Sequence, residues 1–179
     1  MASASERRRF LTVVALVLIL DLATKIAAEA LLPRWTGVEV IGELFQLRLV
    51  YNPGAAFGIH VGAWSRWVFM GLSGAALVIL WSMLQNTKSG DRVRLYSVAL
   101  VFAGAAGNLV DRVRSPRGVV DFLDFTFGTF HFPTFNVADS AVTCGAILLA
   151  FSLWMEGREA PVVPSGARSP APPPPPGTI

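Results

Sequence analysis

The sequence predicts an α-helical integral membrane protein: four transmembrane helices, with a small β-sheet between helices one and two. Three observations predict it. Of 179 residues, 53% are hydrophobic and only 15% charged, where a soluble domain carries about 25% charge. Mean hydropathy is +0.54. Several stretches are apolar over the ~20 residues that a helix needs to cross a ~30 Å hydrocarbon core. Most of the chain is consumed by spans and their connections, so one domain, residues 1–160, is expected.

The first span is read at Phe10–Leu32. Arg7-Arg8-Arg9, the apolar run behind them and Ala28-Glu29-Ala30 also fit a cleaved secretory signal. Retention is the better reading, because three further spans follow. Asp21 and Lys25 also stand four apart on one helix face, a pair that a discarded signal does not need. Next comes Pro33–Ala63, where Val38–Ile41 and Leu44–Tyr51 are rich in strand formers and Asn52-Pro53-Gly54 signals a turn. A small sheet is expected there, on the outer face of the membrane, followed by a loop over residues 54–58 that could act as a lid. The remaining spans are read at Trp64–Leu84, Leu95–Val110 and Val137–Trp154. The third is short and rich in Gly and Ala, which lets helices approach closely and places it inside the bundle.

Four spans put both termini on one side. The Arg triplet assigns that side to the cytoplasm, supported by Lys88, Arg92 and Arg94 in the loop between spans two and three. Arg34, Arg48, Arg66, Arg112, Arg114 and Arg117 fall on the other side and weaken the count. Between spans three and four, Phe122, Phe125, Phe127, Phe130, Phe132 and Phe135 form an interfacial belt or line an entry for a lipid-bearing substrate. Residues 161–179 are proline-rich and are expected to be a disordered tail with polyproline II character.

The net charge of +3 is dispersed, without the aromatic-basic interleaving of single-strand binders, so no nucleic acid partner is expected. The single Cys144 cannot form an intrachain disulfide and reads as a small buried core residue. With only His60, His131 and that cysteine, no metal-ligand spacing exists, and no metal or other cofactor is expected. Neither histidine sits in a nucleophile-elbow context. A serine-lysine pair would have to use Lys25 with Ser73 or Ser140.

Aspartates remain. Asp121 lies among Val119, Val120 and Phe122, and Asp139 follows Asn136 at the start of span four. Charge at a membrane edge is costly, which makes both functional candidates. Each also has a plainer explanation. Asp121 could be a solvated loop acid beside Arg117, with Asp124 as a competitor. Asp139 could simply favour a helix start that Asn136 caps. Asn108, Asp111 and Arg112 share one helix face at the same membrane edge. There Asp111 and Arg112 could be a helix-end ion pair, Asn108 an interhelical hydrogen bond, and Asn52 a turn residue. Two adjacent carboxylates cannot both ionise cheaply; one shares a proton, so that one acid activates water while the other donates. That is aspartic-peptidase chemistry without metal or covalent intermediate.

Five ordered segments then carry a family resemblance: Asp21–Lys25, Asn52–Phe57, Gly107–Arg112, Val119–Phe122 and Phe135–Asp139. From about Phe10 to Trp154 the chain resembles bacterial lipoprotein signal peptidase (signal peptidase II). The resemblance implies a four-helix membrane aspartic peptidase with a small periplasmic β-cradle in the cell inner membrane. It implies a catalytic pair at Asp121 and Asp139, supported by Asp21, Asn52, Asn108, Arg112 and Asn136. The implied substrates are diacylglyceryl-modified prolipoproteins, cut just before the lipidated cysteine, and the implied inhibitors are of the globomycin type. Substrate and membrane lipids are the implied partners. The alternative of another class is a small transporter or proton-conducting bundle, motivated by Asp21, Lys25 and Asn108 at membrane depth.

Overall fold

The computed structural model of the chain describes residues 3–54 and 61–159. The proline-rich tail, His60 and all but Gly54 of the expected 54–58 loop lie outside them. Four helices are long and apolar enough to cross a membrane: α1 (Ala4–Leu31), α2 (Ser65–Gln85), α3 (Arg92–Arg114) and α4 (Val137–Glu159). Each coincides with an expected span to within a residue, except that α1 starts earlier, α3 runs further at both ends and α4 ends later. Hydropathy marks only the apolar middle of a helix, whereas local capping sets its ends. Ser3 and Glu6 form a capping box that starts α1 before its arginines: the Ser3 hydroxyl accepts from the Glu6 N–H, and the Glu6 carboxylate accepts from the Ser3 N–H. Asp91 caps α3 by accepting from the Arg94 N–H at 3.0 Å.

The helices pack around Phe10, Leu80, Leu84, Leu95, Val98, Ala99 and Ala103. Phe10 meets Phe102 and Trp81 edge-on, at 5.4 and 6.1 Å between ring centroids. Leu16, Ile19, Val78, Ile79 and Ile147 are more than half exposed; such side chains face lipid rather than water. As expected, α3 is the inner helix. At Gly104 an added Cβ would collide with the backbone oxygen of Ala138 on α4, so only glycine permits this approach.

The sheet is antiparallel, in the order β1 (Val38–Ile41), β2 (Phe45–Asn52), β3 (Val119–Phe127), β4 (Phe130–Phe135). The two strands expected between helices one and two are present. The segment between α3 and α4, read from sequence only as aromatic-rich, supplies the other two. Its phenylalanines divide between two surroundings: Phe125 stacks on Phe45 at 4.5 Å and on Phe135 at 5.8 Å, while Phe132 and Phe135 line a cavity. Alternation puts Asp121, Leu123, Phe125 and Phe127 on one face of β3 and Asp124 on the other. Gly118, at φ +101°, turns the chain into β3 where a Cβ would strike the Asn52 carbonyl.

Candidate functional site

The site lies where the sheet meets the ends of α1, α3 and α4. Asp121 arrives on β3, paired across the sheet with Val50 of β2. Asp139 arrives in the first turn of α4. One residue joins them. The Asn136 side-chain oxygen accepts from the Asp139 N–H at 2.9 Å, and the Asp139 carboxylate accepts from the Asn136 N–H at 3.2 Å. This is a capping box built from Asn and Asp. The Asn136 amide nitrogen then donates to Asp121 Oδ1 at 2.7 Å. The expected cap is therefore present, and its remaining amide group reaches the other aspartate.

The supporting residues converge as the sequence suggested. Asn52 Nδ2 donates to Asp121 Oδ2 at 3.1 Å, while its oxygen accepts from the Gly54 N–H and makes the expected turn. Asn108 Nδ2 donates to Asp139 Oδ1 at 2.8 Å. Arg112 donates to the Gly54 carbonyl at 2.7 Å and to the Asn108 carbonyl at 3.2 Å. Asp21 Oδ1 accepts from the Ala138 N–H at 2.9 Å, just before Asp139.

The electrostatics separate the two acids' surroundings. Asp121 is 2% exposed. Burial pushes its carboxyl up to about 7, and the neighbouring charge of Asp139 adds to the rise, against the donors Asn52 and Asn136. Such a group carries its proton just below neutral pH, beside a second carboxyl that accepts from a backbone N–H at a helix start. One can give a proton where the other takes one.

Beside the acids is a cavity of about 610 Å³. Asn52, Asn108, Arg112, Asp121 and Asp139 form its polar end; Phe69, Leu72, Ala105, Val142, Phe132 and Phe135 are among its apolar lining. Cys144 lines it too and is exposed. That corrects the expectation of a buried core thiol: the apolar run around it faces lipid and the cavity rather than the bundle centre.

Other plain readings fail on geometry. Asp121 is enclosed, and Arg117 is elsewhere, over the Tyr51 ring and near Glu29. Asp111 and Arg112 do not pair with each other. Asp111 binds Lys25 at 2.8 Å, and Lys25 also binds Asp21 at 2.8 Å. Asp124 sits across the sheet with Arg48 and His131. Sequence reasoning treated Lys25 as the partner of Asp21 alone and missed its reach to α3. The i, i+4 spacing found the first contact; the second depends on how the helices pack.

The model of the signal peptidase II family matches residues 13–155. The chain belongs to that family. Among relatives of signal peptidase II type, it is 41% identical over 147 residues to a protein named lipoprotein signal peptidase from Desulforapulum autotrophicum, covering 80% of this chain and 90% of that one. It is 40% identical over 142 residues to one of the same name from Paraburkholderia phytofirmans, covering 78% and 81%. A bacterial membrane enzyme solved in meso at 2.3 Å superposes with a TM-score of 0.78 at 29% identity, covering 86% of this chain and 92% of that one. A second, at 1.9 Å, gives 0.72 at 31% identity, covering 81% and 92%. The chain is thus a multi-pass membrane peptidase of the signal peptidase II family.

Proposed function

We propose that this peptidase removes the signal peptide from diacylglyceryl-modified prolipoproteins, cutting N-terminal to the lipidated cysteine by an aspartic mechanism. The relatives' shared name supports the substrate class. The observation that carries the mechanism is the Asp121–Asn136–Asp139 constellation at the polar end of an otherwise apolar cavity. Asp139, ionised, takes a proton from water, and the resulting hydroxide attacks the scissile carbonyl carbon. Asp121, protonated, gives its proton to the carbonyl oxygen. Asp139 then passes its proton to the leaving amine as the C–N bond breaks, and Asp121 recovers a proton from the collapsing diol. Asn52, Asn108 and Asn136 hold the carboxyls, Asp21 holds the start of α4, and Arg112 supplies positive charge beside both acids.

The apolar lining from Leu72, Val142 and Phe69 suits acyl chains entering from the bilayer. A globomycin-type peptide inhibitor would occupy the same cavity. The membrane is the bacterial inner membrane, with both termini cytoplasmic and the dyad near the periplasmic face. Arg8 and Arg9, exposed at the opposite end of α1 from Asp21, support that orientation. A proton conduit would need ionisable groups through the membrane thickness, yet α2 has none between Arg66 and Gln85, and α4 has only the Cys144 thiol between Asp139 and Glu156.

The test is cleavage of a diacylglyceryl-modified lipobox peptide by purified wild type, Asp121→Asn, Asp139→Asn and Asp124→Asn. The dyad variants should fold and lose at least ~10³-fold in turnover. Asp124→Asn, on the other face of β3, should retain it. Near-wild-type cleavage by either dyad variant would return that aspartate to a structural role.

A further inference from the structure

Lys25 takes no part in the chemistry above, yet its side chain is wholly enclosed. Its ammonium group has three acceptors: Asp21 Oδ2 at 2.8 Å, Asp111 Oδ2 at 2.8 Å and Asn108 Oδ1 at 3.1 Å. Three donors meeting three acceptors leave no lone pair for nucleophilic or base chemistry, so a serine-lysine mechanism finds no free amine here.

What the acceptors do next is informative. Asp21 accepts from the N–H of Ala138, the residue before Asp139. Asp111 accepts from the N–H of Val120, the residue before Asp121, at 3.3 Å. Asn108 donates directly to Asp139. All three arms of one cation therefore end on, or one residue before, the two acids. The arms come from α1 and α3, and the acids from α4 and β3, so Lys25 ties four elements together.

We propose that Lys25 is a positioning residue that sets the spacing of Asp121 and Asp139 and the orientation of the Asn108 amide. It acts through these three arms, and the proposal rests on the dyad reading above. The amide argument is one of donor type. An ammonium can only donate, so Asn108 must turn its oxygen toward Lys25 and its Nδ2 toward Asp139. Without the cation the Asn108 oxygen keeps only the longer bond from Asn136 Nδ2, at 3.3 Å, and the amide is held less firmly toward Asp139. The spacing argument is one of bridging, since a single ammonium holds Asp21 and Asp111 at 2.8 Å each. Asp21 and Asp111 share one cation; removing it sets two buried carboxylates against each other, and each holds the backbone of one acid. Stability alone does not call for such a group, since an apolar side chain of equal volume commonly serves a buried position as well or better. Gly107 is part of the same arrangement, because a Cβ there would lie 2.6 Å from Asp21 Oδ2.

The experiment uses the full chain in proteoliposomes with the diacylglyceryl lipobox peptide. Lys25→Met strands two buried carboxylates and is expected to melt early. The deciding variant is therefore the charge-compensated Asp21→Asn/Lys25→Met/Asp111→Asn, whose new amide oxygens can still accept from Ala138 and Val120. Positioning predicts a folded protein whose KM stays within about threefold while kcat falls at least about thirtyfold. A folded variant with wild-type kcat, or one in which KM alone rises, overturns the proposal. Asp139→Asn is measured in parallel. If it retains turnover, the dyad reading fails and the role of Lys25 falls with it. If it is inactive while the triple variant cleaves normally, only the role of Lys25 fails.

Discussion

Asn136 shows how a single amide can cap a helix and hold a buried carboxyl together. Its oxygen starts α4 and its nitrogen holds Asp121, so the position of one acid is coupled to the helix start that carries the other. The enclosed Asp121 has two pH consequences. With its carboxyl near 7, the proton it gives in the proposed mechanism is lost as pH rises through that value. Thus kcat/KM should fall on the alkaline side with a midpoint near pH 7, and a profile flat to about pH 9 would contradict the donor role. The second consequence concerns stability. A carboxyl raised in the folded state contributes stability that is present below its unfolded value, about 3.9, and is lost as pH rises through about 7. Asp121→Asn removes that loss. The melting temperature of the variant relative to wild type should therefore be more favourable at about pH 8 than at about pH 5, and a difference that does not change with pH would show that burial imposes no such penalty. The acids, their asparagines and Arg112 were legible because short motifs at a membrane edge concentrate polar groups where they are costly. Asp111 as a partner of Lys25 was not, because that contact depends on the approach of α1 to α3.

At the scale of elements, the contact between α3 and α4 matters most to the site, since Ala138 and Asp139 lie in it. Gly104 allows that contact: a Cβ there would overlap the Ala138 carbonyl and lie 2.6 Å from a methyl group of Val142. Backbone cannot move aside as a flexible side chain can, so Gly104→Ala should cost about 1–3 kcal/mol and depress turnover by shifting Asp139. Gly71 on α2 has open space around its Cβ position. There alanine should be neutral or stabilising by up to about 1 kcal/mol through helix propensity, with turnover unchanged. Thermal melts and cleavage assays on the pair check this, and equal effects at the two positions would refute the packing argument. Helices were readable because each carries a long apolar run. Strands β1 and β2 were readable from their strand formers and the Asn-Pro-Gly turn. Strands β3 and β4 were overlooked because one of their faces holds Asp124, Thr126 and His131 among many phenylalanines, a pattern equally suited to an interfacial belt. Only pairing with β2, distant in sequence, reveals them.

At the scale of the whole molecule, the distribution of arginines adds to what a simple charge count left weak. Most arginines at the sheet end are engaged by the protein. Arg66 donates to the carbonyls of Arg112 and Val113 at the end of α3, Arg114 and Arg117 meet Glu29, Arg48 meets Asp124, and Arg112 meets Gly54. Cations spent on internal partners are poor topological signals, whereas exposed Arg8 and Arg9 remain available to anionic lipid. The far end has internal pairs as well, Lys88 and Arg94 with Glu156, which fasten the α2–α3 connection to α4. Discounting the engaged residues therefore favours the sheet end facing outward. The prediction is made in a Cys144→Ser background, with single cysteines at Ser5, Ser89 and Thr129, all exposed. An impermeant maleimide added to intact spheroplasts should label the Thr129 position, in the turn between β3 and β4. The Ser5 and Ser89 positions should react only after permeabilisation. Labelling of Ser5 and Ser89 but not Thr129 in intact cells would invert the protein. It would also place Asp121 and Asp139 at the cytoplasmic face and overturn the orientation proposed above.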